Sequence, residues 1–166
     1  MRRSTMTTPA AAALLVLVLP AAALAGAVAV DHGHGPTYVH DGTYADVETQ
    51  VHSWASDGDT EIRLMVDGLP AGRRFGAHVH LKPCGSLATD SGGHYQHGDV
   101  ALPLSDREIW LDFTTDVVGH GVGRATAPWL IEAGTAGSVV VHASPTDPVS
   151  GAAGARLFCT TVPFGQ

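Results

Sequence analysis

The sequence predicts an all-β protein: an antiparallel sandwich or flattened barrel of about eight strands. Two observations carry this prediction. Short runs of alternating apolar and polar residues recur from Tyr44 to the C-terminal end, and turns rich in Gly, Pro and Asp separate them. Beyond the N-terminal segment, no stretch shows the apolar period of a helix. The core is therefore expected to lie between two sheets.

The first half of this region contains two strands and the start of a third. Apolar residues alternate with polar ones over 47–51, a turn follows at 57–59, and alternation resumes over 62–66. The segment 67–72 combines Asp, Gly and Pro, so it should end the second strand. A third strand is expected to carry the residues 77–81.

The second half repeats the pattern with four further strands. They are expected at 108–115, at 122–129 after a turn near 119–121, at 136–143 and at 155–162. Turn residues lie between all of them, which is typical of sandwiches and barrels.

The N-terminal segment 1–29 resembles a secretory signal. Arg2 and Arg3 are followed by an apolar run and by small-residue cleavage patterns that end at Ala25 and Ala29. The alternative is a retained membrane anchor, because the apolar run is just long enough to span a bilayer. In both cases the rest of the chain is expected to be exported, to the cell envelope or beyond it.

A flexible tail is expected over 30–43, before a domain that covers 44–166. The tail is rich in Gly and contains Pro, which disfavours regular structure. Its histidines, His32, His34 and His40, could capture a metal ion, although a solvated tail is the simpler interpretation.

The charge balance excludes two classes of partner. All 16 acidic residues lie beyond the signal, together with seven of the nine basic ones. A chain this acidic is not expected to bind nucleic acid or an anionic membrane.

Two cysteines, Cys84 and Cys159, are the only ones in the chain. In an exported protein a pair of cysteines indicates one disulfide, whereas unpaired thiols would be exposed to oxidation. Closing so long a loop contributes up to about 4.5 kcal/mol in the chain-entropy description.

Histidines form the most informative pattern. His78 and His80 are two residues apart on an expected strand, so both imidazoles project from one face. His94 follows after a polar loop, and His142 ends a run of valines. A lone histidine on a strand is usually a surface or core residue, but imidazoles brought together suit copper, zinc, iron or nickel, and a flattened site of four nitrogens would favour copper.

The context of these histidines resembles the copper/zinc superoxide dismutase family. The matching motifs occur in the family's order and are, in this sequence, Gly-Leu-Pro-x-Gly at 68–72, His-Val-His at 78–80, Cys84, Gly-Gly-His at 92–94, Val-Val-Val-His at 139–142, Gly-x-x-Gly-x-Arg at 151–156 and Cys159. They cover most of the chain from about Thr60 onward.

The resemblance implies a Greek-key, immunoglobulin-like arrangement of the sandwich, a site and a reaction. His78, His80, His94 and His142 are the expected copper ligands, and Arg156 is the expected residue that attracts the substrate, the superoxide anion. Superoxide would be converted to dioxygen and hydrogen peroxide by Cu(II)/Cu(I) cycling, with His94 as the proton carrier. The reaction needs no large organic substrate.

The family's zinc half is incomplete in this sequence. His97, Asp99, Glu108 and Asp112 are the remaining candidates for a zinc site, since His120 lies in an expected turn. These make a poor zinc set, so the ligand count favours copper alone. In the copper-only branch of the family, a carboxylate takes over part of the role of zinc. On that model, Glu108 or Asp112 would accept a hydrogen bond from the ring nitrogen of His94 that does not bind copper.

Two other functions remain open, and a third is disfavoured. A copper carrier on the same scaffold would bind the metal without turnover, and a structural sandwich domain would retain no metal. A blue-copper electron carrier needs a cysteine ligand, and both cysteines are assigned to the disulfide. The sequence leaves the oligomeric state open.

Overall fold

The computed structural model describes residues 34–165. The predicted signal over 1–29 and its two cleavage sites lie outside the described residues, as does His32, so the predictions for them stay predictions. Within the described range, no helix has the length and apolar character needed to cross a membrane.

Eight strands and two short 3₁₀ turns make up the regular structure of the described residues. The strands are β1 (Thr37–Val39), β2 (Glu48–Ser56), β3 (Asp59–Asp67), β4 (Arg74–His80), β5 (Phe113–Thr114), β6 (Gly121–Ala127), β7 (Ser138–His142) and β8 (Arg156–Thr161). The 3₁₀ turns are Gly42–Tyr44 and Leu104–Asp106. The prediction of an all-β chain is confirmed.

The strands form two antiparallel sheets. One sheet has five strands in the order β1-β8-β7-β4-β5, and the other has three in the order β2-β3-β6. The β4 strand pairs with β7, which lies far away in sequence, so two distant histidine-bearing strands become neighbours. The architecture is an immunoglobulin-like β-sandwich, as predicted.

The core lies between the sheets and follows the period of two that strands impose. One face of the three-stranded sheet and one face of the five-stranded sheet meet there, through Val51, Ile62, Leu64, Val66, Phe75, Ala77, Val79, Val139, Val141 and Phe158. His78, His80 and His142 alternate with these residues, so they project from the opposite face of the larger sheet. Long loops cover that face and bury the histidines as well.

The disulfide joins Cys84 to Cys159, with their Cα atoms 5.7 Å apart and a sequence separation of 75 residues. It ties the loop after β4 to the middle of β8. The predicted pairing is confirmed. Cys159 is fully buried, and the described residues contain no free cysteine.

The predicted extent of the flexible tail is wrong. Thr37–Val39 forms β1, which pairs with Thr160, Cys159 and Phe158 of β8. Hydroxyl groups of Thr37, Thr49 and Thr160 also bond one another at 2.7–3.0 Å. Composition indicated a tail, but the free edge of β8 supplies hydrogen-bond partners that the local sequence does not reveal. The folded domain therefore begins before the predicted boundary at 44.

The predicted strand over 108–115 is also largely wrong. Only Phe113–Thr114 pairs as a strand, and the preceding residues make single bridges, such as that of Trp110 to His78. The alternation that indicated a strand is present: Ile109, Leu111 and Phe113 are buried in the core. The backbone follows the β4 edge closely enough to place those side chains without forming a continuous ladder.

Candidate metal centre

Four histidines converge on the outer face of the five-stranded sheet. His78 and His80 lie on β4, and the register places His142 of β7 opposite Gly76 on the same strand. His94 arrives from the loop after β4, where a single antiparallel bridge pairs it with His80. One ring nitrogen from each histidine lies within 4.8 Å of those of the other three.

Two of these rings are oriented by backbone carbonyl groups. Nδ1 of His80 lies 3.1 Å from the carbonyl oxygen of Gly92, and Nδ1 of His142 lies 3.2 Å from that of Gly154. A carbonyl oxygen can only accept, so each Nδ1 carries the proton and donates. Nε2 of His80 and of His142 is therefore left bare, and these two nitrogens lie 3.4 Å apart.

The other two rings are oriented by side chains. Nδ1 of His94 donates to Oε2 of Glu108 at 2.9 Å. Nε2 of His78 lies 2.6 Å from the hydroxyl oxygen of Thr146, and that hydroxyl in turn bonds Oδ1 of Asp112 at 2.5 Å. The bare nitrogens of this pair are therefore Nδ1 of His78 and Nε2 of His94, which lie 3.0 Å apart.

The result is a set of four lone pairs that point at one small volume. Bare nitrogens at these separations repel one another unless a proton or a metal cation lies between them. Four imidazole nitrogens with no sulfur or carboxylate ligand suit copper or zinc. The residues therefore fit a metal ion of this kind.

Burial protects the bare nitrogens from protons. Loss of solvation is the largest cause that lowers the pKa of His78 to about 2, of His80 to about 3 and of His142 to about 4. Neighbouring imidazoles lower these pKa values further. Three of the four rings are consequently neutral at pH 7, which is the form that binds a metal.

Arg156 lies beside this cluster. Its Nη1 donates to the carbonyl oxygen of Ala88 at 2.6 Å and to Oγ of Ser91 at 3.0 Å, and its Nη2 donates to the carbonyl oxygen of Gly92 at 2.7 Å. The Gly92 carbonyl thus accepts from both Arg156 and His80. Burial lowers the pKa of Arg156, but a guanidinium stays charged at any physiological pH. The positive charge therefore has a fixed position.

Comparison with solved structures identifies the architecture. The Cu/Zn superoxide dismutase from Brucella abortus is 19% identical, with a TM-score of 0.59 over 81% of this chain and 99% of that one. A SOD-like protein from Bacillus subtilis is 15% identical, with the same TM-score and the same two coverages. No protein-family model and no curated protein matches the sequence.

The chain has the copper/zinc superoxide dismutase fold. The resemblance read from the motifs is thereby confirmed for the architecture, and the four histidines occupy one site in it.

A buried carboxylate holds the ring nitrogen of His94 that faces away from the cluster. Glu108 is buried, and its Oε2 accepts from Nδ1 of His94 and from the indole nitrogen of Trp110 at 2.7 Å. Its Oε1 accepts from the amide of Gln96 at 2.7 Å. Of the two carboxylates predicted to bond His94, the structure places Glu108 there. Asp112 instead accepts from Thr146.

The other predicted zinc candidates lie elsewhere. His97 stacks on Trp129 with ring centroids 4.8 Å apart, and Asp99 accepts from the backbone of Ala101. Within residues 34–165, the four histidines are the sole group of three or more metal-binding side chains. His97 and Asp99 are predicted only as candidates for a zinc site or for hydrogen-bond partners of a ligand, and the loop turns both side chains toward other partners. As expected, His120 lies outside the cluster, paired with Asp67.

Sequence reasoning missed Trp110, Gln96 and Thr146. A signal existed for Trp110, since it lies between Glu108 and Asp112 at the period of two that places all three on one side of the segment. Thr146 offered none, because it sits in an irregular loop and meets His78 only through the fold.

Proposed function

We propose that the protein is an exported, copper-dependent superoxide dismutase that converts superoxide to dioxygen and hydrogen peroxide. The observation that carries this proposal is the convergence of four bare, buried imidazole nitrogens within a superoxide dismutase fold. Their positions agree with the ligands expected from the motifs, His78, His80, His94 and His142.

The atoms that would hold copper follow from the hydrogen bonds. They are Nδ1 of His78 and Nε2 of His80, His94 and His142, since the other nitrogen of each ring has a partner. When bound there, copper supplies the alternating oxidation of one superoxide and reduction of the next.

His94 is the best placed of the four to handle protons. It is partly exposed, whereas the other three are buried. The carboxylate of Glu108 holds a proton at its Nδ1, so Nε2 is the atom that can exchange a proton on the side of the site. Trp110 and Gln96 hold Glu108 in turn, which keeps the ring at one orientation.

Arg156 supplies the attraction for an anion. The sequence carries a net charge of −7, so its overall field repels superoxide. A guanidinium fixed by three acceptors beside the histidines provides a local positive charge at the point of reaction.

Copper alone is favoured over copper with zinc. The far nitrogen of His94 already donates to a buried carboxylate, which takes the position at which a second cation would act on that ring. The loop after β7 lies close over this pair: a methyl group at Gly151 would sit 3.2 Å from Oε2 of Glu108.

Export is supported by the disulfide. Such bonds persist in oxidising compartments, which agrees with the predicted signal.

The test is a superoxide dismutation assay on purified protein, before and after addition of copper. We expect activity that appears with copper, remains after dialysis and is not increased by zinc. Retention of copper without turnover would contradict the enzyme and support a copper carrier. Failure to retain copper would contradict both.

A further inference from the structure

We propose that Thr146 is a positioning residue of the metal centre. Its hydroxyl group relays a hydrogen bond from His78 to Asp112, and this fixes which nitrogen of His78 faces the metal. The inference rests on the proposed function only in taking copper as the metal.

The hydroxyl is placed between two groups that cannot reach each other. Nε2 of His78 lies 4.0 Å from Oδ1 of Asp112, which is too far for a hydrogen bond. Oγ1 of Thr146 lies 2.6 Å from Nε2 of His78 and 2.5 Å from Oδ1 of Asp112. Without the hydroxyl, His78 would have no acceptor at its outer nitrogen.

The direction of the relay follows from what each group can do. Asp112 already accepts from two backbone N–H groups, those of Ala77 at 3.2 Å and Thr146 at 2.8 Å, so it acts as an acceptor. Thr146 has a single hydroxyl proton, which it donates to Asp112. Its lone pairs then accept from Nε2–H of His78, and Nδ1 of His78 carries the lone pair.

Loss of the hydroxyl would remove this selection. The proton of His78 could then move to Nδ1, which faces Nε2 of His94 at 3.0 Å and would use it as an acceptor. A proton in that position occupies the place of the metal. Copper would have to displace it, so the affinity should fall.

The same residue holds the loop after β7 against the sheet. Thr146 bonds Asp112 through both its backbone and its side chain. Gly76 permits this approach, because an added Cβ there would lie 2.7 Å from the carbonyl oxygen of Ser144 and 3.0 Å from Oγ1 of Thr146. The loop also provides the Gly154 carbonyl that orients His142. Two of the four rings therefore depend on one loop.

The experiment compares three variants of the full exported chain by competition titration with Cu(II) at pH 7. Thr146→Val keeps the shape and removes the hydroxyl, and Thr146→Ser keeps the hydroxyl. Thr126→Val makes the same change at an exposed position on β6. Each copper complex is also examined by electron paramagnetic resonance, which reports the nitrogen environment of the metal.

We expect Thr146→Val to bind Cu(II) about 10- to 100-fold more weakly, the range seen when the partner of a ligating histidine is lost. Its copper spectrum should change as well. Thr146→Ser should stay within about twofold of the parent, and Thr126→Val should match the parent, because neither change removes the partner of a ligand.

A folded Thr146→Val protein with the parent's affinity and spectrum would overturn the proposal. Should Thr146→Val fail to fold, Thr146→Ala makes the same comparison with a smaller side chain, and parent-like binding by that variant would overturn it equally. Dismutase activity of the parent is measured in parallel. A parent that binds copper without turnover contradicts the proposed function, while the binding comparison still decides the role of Thr146.

Discussion

The two flanks of the histidine cluster orient their imidazole rings in different ways. On one flank, His80 and His142 donate to backbone carbonyl groups of Gly92 and Gly154. On the other flank, His78 and His94 are held by side chains that end in the carboxylates of Asp112 and Glu108. The first flank is set by the path of the chain, whereas the second depends on particular side chains. The orientation of His78 and His94 can therefore be altered by substituting the side chains that hold them. For His80 and His142, whose partners are backbone groups, a substitution can only remove the ligand itself.

The largest effect is expected when a ligand is removed from either flank. His80→Leu and His94→Leu should each lower the affinity for Cu(II) by more than about 100-fold. Loss of only the hydrogen-bond partner of a ligating histidine already lowers metal affinity about 10- to 100-fold. Competition titration measures this. Tight copper binding by His94→Leu would show that the two flanks do not contribute equally to holding copper.

Next in size is the change Glu108→Gln. The amide keeps the shape of the side chain but loses the charge that holds the proton on Nδ1 of His94. We expect a loss of about 10- to 100-fold in activity or copper affinity. Glu132→Gln makes the same change at an exposed loop position and serves as the control.

If Glu108→Gln keeps both the activity and the copper affinity of the parent without taking up zinc, the charge of the carboxylate is not needed to hold the ring of His94. Elemental analysis of the variant therefore accompanies the assay.

A smaller effect is expected for Arg156→Gln. Removal of the charge should lower kcat/KM for superoxide by about tenfold through slower association, and should flatten its dependence on ionic strength. Copper content should not change, because Arg156 is not a ligand. The assay is run from low to high salt, and a variant with the parent's salt dependence would argue against electrostatic attraction by this residue.

A separate effect is expected in the metal-free protein, whose stability should depend on pH. Burial lowers the pKa of His78, His80 and His142 below 6.5 in the folded state. Below pH 6.5 the unfolded chain therefore takes up protons that the folded chain does not, so the free energy of unfolding should fall as pH drops from 6.5 toward 4. Each ring adds a slope of up to about 1.4 kcal/mol per pH unit.

Denaturant titrations of metal-free protein between pH 4 and pH 8 measure this dependence. A curve that is flat from pH 6.5 down to pH 4 would contradict the buried, neutral state of the three rings. The variant His80→Leu removes one of them and should show a shallower slope.

The sandwich and the four histidines could be predicted because both depend on short-range patterns. Alternation identified β2 and β3, and the His-Val-His and Val-His motifs lie on strands whose period fixes the face they share. Glu108 could be named as one of two candidates by its place after the polar loop. The motif order then indicated which histidines meet.

The remainder depends on contacts that no local pattern encodes. The β1 strand forms because β8 offers a free edge, although the residues just before it are rich in Gly and Pro. The choice between Glu108 and Asp112 is made by the backbone path along β4, and Thr146 acquires its role because Gly76 lets its loop approach. Long-range packing decides each of these.

On the proposed function, four imidazoles hold one copper ion and no second metal is required. Elemental analysis of the purified protein, exposed to excess copper and zinc and then dialysed, tests it most directly. We expect about one copper per chain, negligible zinc and superoxide dismutase activity in proportion to copper. A protein that retains no copper, or that is active only with a second stoichiometric metal, would contradict it.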